Sequence, residues 1–430
     1  YVQSMHIIPH FDEDSVEIEL FTNEEGKFLP YKVYIFDRGH LISEMSIEDG
    51  HKMMLPIPNK KAWSPVSPFL YDVTIMYGED FIQSYFGMRH FSVEKDSNGI
   101  LRLCLNHVPY FQNGILDQGY WPESLLTPIS DEAMIYDIQE AKNQGFNMIR
   151  KHCKIEPMRW YYHCDRLGML VWQDMPSIAD HHGRRSHRGR FFKNFGEDRW
   201  FDNRSEELVA AQTNEWSRDS FIGGTDCDVP FEWKQNFYRE WTNIINAFKN
   251  FQCIVVWVPF NEAWGQFDTP AAVRLTRELD PTRLVNCSSG GNYDFSEGVE
   301  GFGDILDVHH YPCPAMNIFE RKFVNVLGEY GGIGLPVEGH TWEIAKKWGY
   351  GGNKKDAEEV MNVYEEYLDM LKKNKQKYDR MNGLVKGKRL SGIGLMLPSD
   401  FLEKLDNGRF GLMGSHGYQF FLHRLGLPVC

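Results

Sequence analysis

The chain has 430 residues, with 46 Lys and Arg against 60 Asp and Glu, a formal net charge of -14. Single cores stop growing beyond roughly 250–300 residues, so this length predicts two or three domains. The negative charge would repel a phosphate backbone and argues against a nucleic-acid partner, and no apolar run approaches the roughly 20 residues of a membrane-crossing helix, which argues against a membrane one.

Up to about residue 100 short segments alternate apolar and polar residues: Ser15–Phe21, Tyr31–Phe36, Phe69–Met76 and Gln83–Val93, each bounded by Gly, Asp, Asn or Pro. Period-two alternation between turn signals predicts an all-β, immunoglobulin-like antiparallel sandwich over residues 1–104. After Asn106 strand-like apolar runs alternate with amphipathic helical segments, the pattern of a parallel sheet with crossover helices. Seven candidate strands follow: Tyr110–Leu116, Asn147–Arg150, Met169–Trp172, Ile254–Pro259, Leu284–Cys287, Ile305–His309 and Val324–Glu329. Helices are expected at Ser130–Gln144, where Ser130 can cap and Asp131 and Glu132 suit the first turn, and at Glu156–Leu167, Phe231–Lys249 and about 356–374. An eighth strand would complete a (β/α)8 TIM barrel over 105–375, giving an α/β fold class. Gly392–Leu397 is the one strand-like run in the otherwise irregular tail 376–430. Residues 179–230 form an insertion bearing His181, His182, Arg184, Arg185, His187, Arg188 and Arg190. It reads as a solvated lid, or as a patch receiving an acidic sugar or polymer; its histidine spacing offers no compelling metal geometry.

The strongest chemical signal is the strand Val255–Val258 leading into Asn261-Glu262. In a barrel the C-terminal ends of the strands form the floor of the active site. A carboxyl on the rim of an apolar pocket has its charged form destabilised, so Glu262 suits a general acid, and Asn261 can bond a ring hydroxyl. A second apolar strand, Val324–Gly328, ends in Glu329 followed by Tyr330-Gly331-Gly332. Two carboxylates on one barrel face meet the requirement of glycoside hydrolysis: roughly 5–5.5 Å apart they retain anomeric configuration, at roughly 6.5–9.5 Å they invert it. Taken singly, each is equally readable as a structural ion-pair partner. Tyr120, Trp121 and Trp264 lie just beyond strand ends, where an aromatic face can stack on a sugar; Trp121 and Trp264 are favoured, with core packing the alternative.

These motifs resemble glycoside hydrolase family 2, the family of β-galactosidases, β-glucuronidases and β-mannosidases. The resemblance also covers Trp63-Ser64-Pro65, Pro68–Tyr71, Phe86–Arg89, Asn106–Gln118, Asn147–Asp174 and Asp304–Pro312, and so runs over residues 1 to 350. It implies a retaining hydrolase of a terminal β-linked sugar, with Glu262 as acid/base and Glu329 as nucleophile. It also implies Arg150 near the nucleophile, Asp174 as an orienting carboxylate, and hydrogen-bond donors among His309, His310 and Tyr311. A glycoside is the implied partner, and no metal or organic cofactor is required. Three departures stand out: the family's leading jelly roll is not seen, Cys153 occupies the place of a histidine with His152 one residue earlier, and the aromatic of the last strand has no counterpart. A carbohydrate-binding fragment without turnover is therefore the alternative, and transglycosylation a third reading. The eight cysteines are scattered and read as mostly free thiols, and Asn203-Arg-Ser205 and Asn286-Cys-Ser288 are glycosylation-type triplets of no diagnostic weight.

Overall fold

A computed structural model describes residues 1–23, 29–121, 124–176, 199–201, 226, 229–261, 266–293, 303–309, 312–314, 318–320, 322–335 and 353–381. The first seven strands are β1 (Val2–His10), β2 (Ser15–Thr22), β3 (Tyr31–Asp37), β4 (His40–Ile47), β5 (Lys52–Pro56), β6 (Tyr71–Tyr77) and β7 (Asp80–Phe86). They form two antiparallel sheets, ordered β1-β2-β5 and β4-β3-β6-β7. Successive strand side chains point to opposite faces, so Val16, Ile18 and Leu20 from one sheet meet Val33, Ile35, Val73 and Ile75 from the other in a shared core. Each such burial contributes about 1.5–3 kcal/mol.

The run Gln83–Val93 is not one strand. It divides into β7 and β8 (Phe91–Lys95), because the intervening backbone turns to pair with the tryptophan segment: Trp63 N donates to Met88 O at 2.7 Å. Gly87 permits that approach, since a Cβ there would lie 2.9 Å from Trp63 Cβ. Strand β8 pairs with β9 (Leu101–Leu105), which pairs with the short β10 (Val108–Pro109), making a three-stranded sheet that follows the sandwich.

The parallel strands then appear in order. They are β11 (Gly114–Asp117), β12 (Met148–Lys151), β13 (Leu170–Asp174), β15 (Ile254–Val258) and β17 (Leu284–Val285), in one five-stranded parallel sheet. The short β14 (Arg199–Phe201), within the insertion, pairs antiparallel with β20 (Ile318–Glu320). Beyond a bend, β16 (Phe260–Asn261) pairs in parallel with β18 (Ser288–Ser289), and β19 (Ile305–His309) with β21 (Val324–Glu329). Seven barrel strands are thus present in the expected order. Apart from 226, 229 and 230, the rest of the insertion lies outside the described residues, as does all of 382–430 with its Gly392–Leu397 run.

The helices are α1 (Asp131–Asn143), α2 (Met158–Leu167), α3 (Phe231–Phe248), α4 (Thr269–Leu279) and α5 (Ala357–Met381). Ser130 does cap α1, its side chain accepting from Ala133 N, and α2 stops at Gly168, whose φ of 73° is left-handed. Helix α4 is absent from the sequence expectations although Pro270 stands in its first turn, a start signal outweighed by the neighbouring active-site motif. No described helix is long and apolar enough to cross a membrane.

Sandwich and barrel meet at Asp165, fully buried near the end of α2. Trp63 Nε1 donates to its backbone oxygen at 2.8 Å, while its carboxylate accepts from Tyr85 Oη at 2.8 Å and Cys253 N at 2.6 Å. Burial pushes the carboxyl up to about 6, against the lowering effect of the bonds from Cys253 and Tyr85. Because the folded pKa is raised, the folded state holds this proton more tightly than the unfolded chain. Its stabilising contribution is full below about pH 4 and is lost as pH rises through 6. Urea unfolding of the parent and Asp165→Asn should show the parent losing roughly 2–3 kcal/mol relative to the variant between pH 4 and 7, with little further change up to pH 8. A difference independent of pH would contradict this.

Candidate active site

Strand alternation decides which residues of β12 face the barrel interior. Arg150 points in, whereas Lys151 points out and ties Asp117 at 2.5 Å to Glu156 at 2.8 Å on the far side of the strand. Arg150 is wholly buried and reaches three elements. Its Nη1 donates to Glu329 Oε1 at 2.6 Å, Nε and Nη2 grip both oxygens of Asp174 at 3.1 and 2.8 Å, and Nη2 also reaches Asn261 Oδ1 at 2.8 Å. The second, third, fourth and seventh barrel strands thus converge on one guanidinium, which requires the sheet to curl. Burial by itself would lower the Arg150 pKa; the Asp174 and Glu329 carboxylates outweigh it and hold the charge in place. The two-pronged grip on Asp174 is the geometry a planar guanidinium favours.

Around this core sit two histidines. His152 Nδ1 lies 2.7 Å from Asp174 Oδ2, and His309 Nδ1 lies 3.6 Å from Glu329 Oε2, on the oxygen that Arg150 leaves. Behind His309 runs a relay: its Nε2 is 2.9 Å from Ser289 Oγ, which donates to Asp307 Oδ2 at 2.6 Å. A serine with one proton, given to the carboxylate, must accept from the histidine, so Nε2 carries a hydrogen. Asn286 Nδ2 also donates to Asp307 Oδ2, at 2.7 Å. Asn286 is fully buried, so this glycosylation-type triplet is closed in the folded chain.

Two glycines make the relay possible. A Cβ at Gly290, with φ of 71°, would overlap His309 Nδ1, and one at Gly328 would overlap Asp307 Oδ1. Gly328→Ala must therefore push Asp307 off Asn286 and Ser289. A loss of about 3 kcal/mol in urea unfolding is expected; a loss below about 0.5 kcal/mol would show that the carboxylate moves freely.

Arg150, Asp174, Asn261 and Glu329 are brought together. Glu262, Trp264, His310 and Tyr311 lie outside the described residues, as do Asn203 and the Arg/His cluster 181–190. Trp121 is 2% exposed, bridges to Leu125 and packs in the barrel core, so it presents little ring face to a ligand; Tyr120 is 43% exposed. The sequence reading missed Ser289, Asp307 and Asn286, and their signal was available: Asp307 and His309 are two apart on a strand and share a face. Among the described cysteines, 104, 164, 253 and 287 are free thiols.

Parallel strands that bring carboxylates, an arginine and an asparagine together at their C-terminal ends are arranged as in a TIM-barrel domain. Residues 127–312 match the model of the glycosyl hydrolases family 2 TIM barrel domain. The chain is 27% identical over 245 residues to a β-galactosidase of Psychromonas ingrahamii, covering 56% of this chain and 19% of that protein. It is 24% identical over 259 residues to a putative β-glucuronidase of Formosa agariphila, covering 58% and 20%. Among solved structures, the β-D-glucuronidase of Dictyoglomus thermophilum superposes with a TM-score of 0.61 at 15% identity, over 91% of this chain and 61% of that one. Over residues 127–312 the chain is thus similar to glycoside hydrolase family 2. It spans about a fifth of the length of the curated relatives it matches.

Proposed function

We propose that the chain is the catalytic part of a retaining glycoside hydrolase acting on a terminal, β-linked sugar. Glu329 attacks the anomeric carbon while Glu262 protonates the departing oxygen; Glu262 then takes a proton from the water that releases the sugar. The observation that carries this reading is the Arg150 network, which sets a cation against Glu329 and orients it from the side opposite His309. A nucleophile must present a carboxylate, and an arginine donor stabilises that form. Asn261, held by Arg150, is assigned to a sugar hydroxyl, with His310, Tyr311, Trp264 and the edge of Trp121 completing the substrate contacts.

The sheet order β1-β2-β5 and β4-β3-β6-β7 supports reading residues 1–104 as an immunoglobulin-like sandwich, with the fourth strand on the second sheet. Residues 105–375 are assigned to the barrel, with 179–230 as its insertion and 376–430 as a tail. The names of the relatives make galactosides and glucuronides the first substrates to try. The test is nitrophenol release from a panel of nitrophenyl glycosides. Turnover of one β-glycoside supports the reading, and a folded chain that binds but turns over none would make it a carbohydrate-binding fragment.

A further inference from the structure

Outside the carboxylate network, one surface cluster brings together residues far apart in sequence. Asp12 lies between β1 and β2, His90 just before β8, and His107 between β9 and β10. One ligand atom from each lies within 4.8 Å of the others. We propose that Asp12, His90 and His107 form a binding site for a zinc-class divalent cation, which would clip the first hairpin of the sandwich to the sheet that follows it.

The cluster is built rather than incidental. Asn106 locks the two histidine segments to each other, accepting from His90 N at 2.8 Å through its side chain and donating its own N to His90 O at 2.7 Å. Asn106 and His107 both take positive φ, 53° and 64°, which turns the His107 ring back over that of His90; the rings stack at 4.6 Å and 21°. His107 Nε2 already lies 2.8 Å from Asp12 Oδ1, and its Nδ1 lies 2.7 Å from Glu94 Oε1. A histidine that gives one nitrogen to a carboxylate and turns the other towards a second oxygen donor has the arrangement of a metal ligand with its supporting carboxylate. Glu94 is itself fixed by Ser92 Oγ at 2.5 Å. The His90 ring makes no hydrogen bond among the described residues, so a ligand there displaces none.

Charge fits the assignment as well. Asp12 and Glu94 carry two negative charges, which one divalent ion balances with both imidazoles neutral. The nearby Lys60 is occupied by Asp14 at 2.7 Å. Two imidazoles, one carboxylate and a water make a tetrahedral set suited to zinc; donor distances of roughly 2.0–2.2 Å require His107 Nε2 and Asp12 Oδ1 to part from 2.8 Å to about 3.4 Å while the His90 ring closes in.

The experiment is calorimetric titration of the full chain with Zn²⁺ in a Cys153→Ser background, which removes the thiol of the separate His152, Cys153 and Asp174 grouping. One equivalent should be lost in His107→Ala and in His90→Ala, while Glu94→Gln should retain it with an affinity about 10–100-fold weaker. Because His107 is exposed and His90 and Glu94 are only half-buried, circular dichroism is expected to show all variants folded. No zinc binding by the parent, or binding unchanged in both histidine variants, would overturn the proposal; in that case His107 is only a cation between two carboxylates. The result does not depend on glycosidase activity.

Discussion

Replacing Glu329 with glutamine is expected to reduce turnover of any cleaved nitrophenyl glycoside by at least ~10³-fold, because the amide cannot form the covalent glycosyl intermediate. The substitution should leave the fold intact. Glutamine keeps an oxygen for Arg150 Nη1, and Asp174 retains its two-pronged hold on the same guanidinium. Kinetics and structure therefore separate cleanly: the unfolding midpoint stays within a degree or two while kcat collapses. A covalent glycoside trap read by peptide mass spectrometry should label Glu329 in the parent and nothing in the variant. Parent-like turnover by Glu329→Gln, or a label on another carboxylate, would remove Glu329 from the nucleophile's role.

Arg150→Met is expected to damage both activity and stability. The guanidinium is fully buried and paired with two carboxylates and an asparagine from three other strands. Removing it leaves Asp174 and Glu329 as buried negative charges without their cation, a loss of about 3–5 kcal/mol. Lysine should not rescue the site, since a point charge cannot hold both oxygens of Asp174 and also reach Glu329. Combining Asp174→Asn with Arg150→Met should recover part of the stability but none of the turnover, because one of the stranded charges is gone while Glu329 still lacks its donor. Equal stability of parent and Arg150→Met in urea would show that the ion pairs contribute nothing net.

The barrel strands were readable because each is a short, continuous apolar run bounded by turn residues, and β19 and β21 fall on the expected residues Ile305–His309 and Val324–Glu329. Strands β1, β4 and β5 were not found. Their outward positions carry residues such as Leu41 and Met54, 50% and 42% exposed, which blur the alternation that a half-buried strand should show. The family resemblance implied Arg150 beside Glu329 and an orienting role for Asp174, whereas the Arg150–Asn261 bond and the Ser289–Asp307 relay were not anticipated. The i, i+2 spacing of Asp307 and His309 pointed to a shared face, but Ser289 and Asn286 acquire meaning only once the neighbouring strand is packed beside them. The split of Gln83–Val93 has the same origin: a partner strand segment at Trp63, twenty residues upstream of Gln83, decides where the pairing breaks.

Asn250, in the loop after α3, grips the edge of β1 with both ends of its side chain. Its Oδ1 accepts from Ile7 N at 3.0 Å and its Nδ2 donates to Met5 O at 2.8 Å. One amide side chain thus stands in for a missing neighbouring strand, shielding backbone groups that would otherwise template the pairing of another molecule. Trp63 binds the two halves in the opposite direction, lodging within the barrel's own core. A barrel expressed from residue 105 onward would therefore lose a core tryptophan, and a sandwich expressed alone would expose an open edge. For anyone cutting this chain into pieces, a cut at the proposed boundary near residue 104 is expected to leave neither part independently soluble.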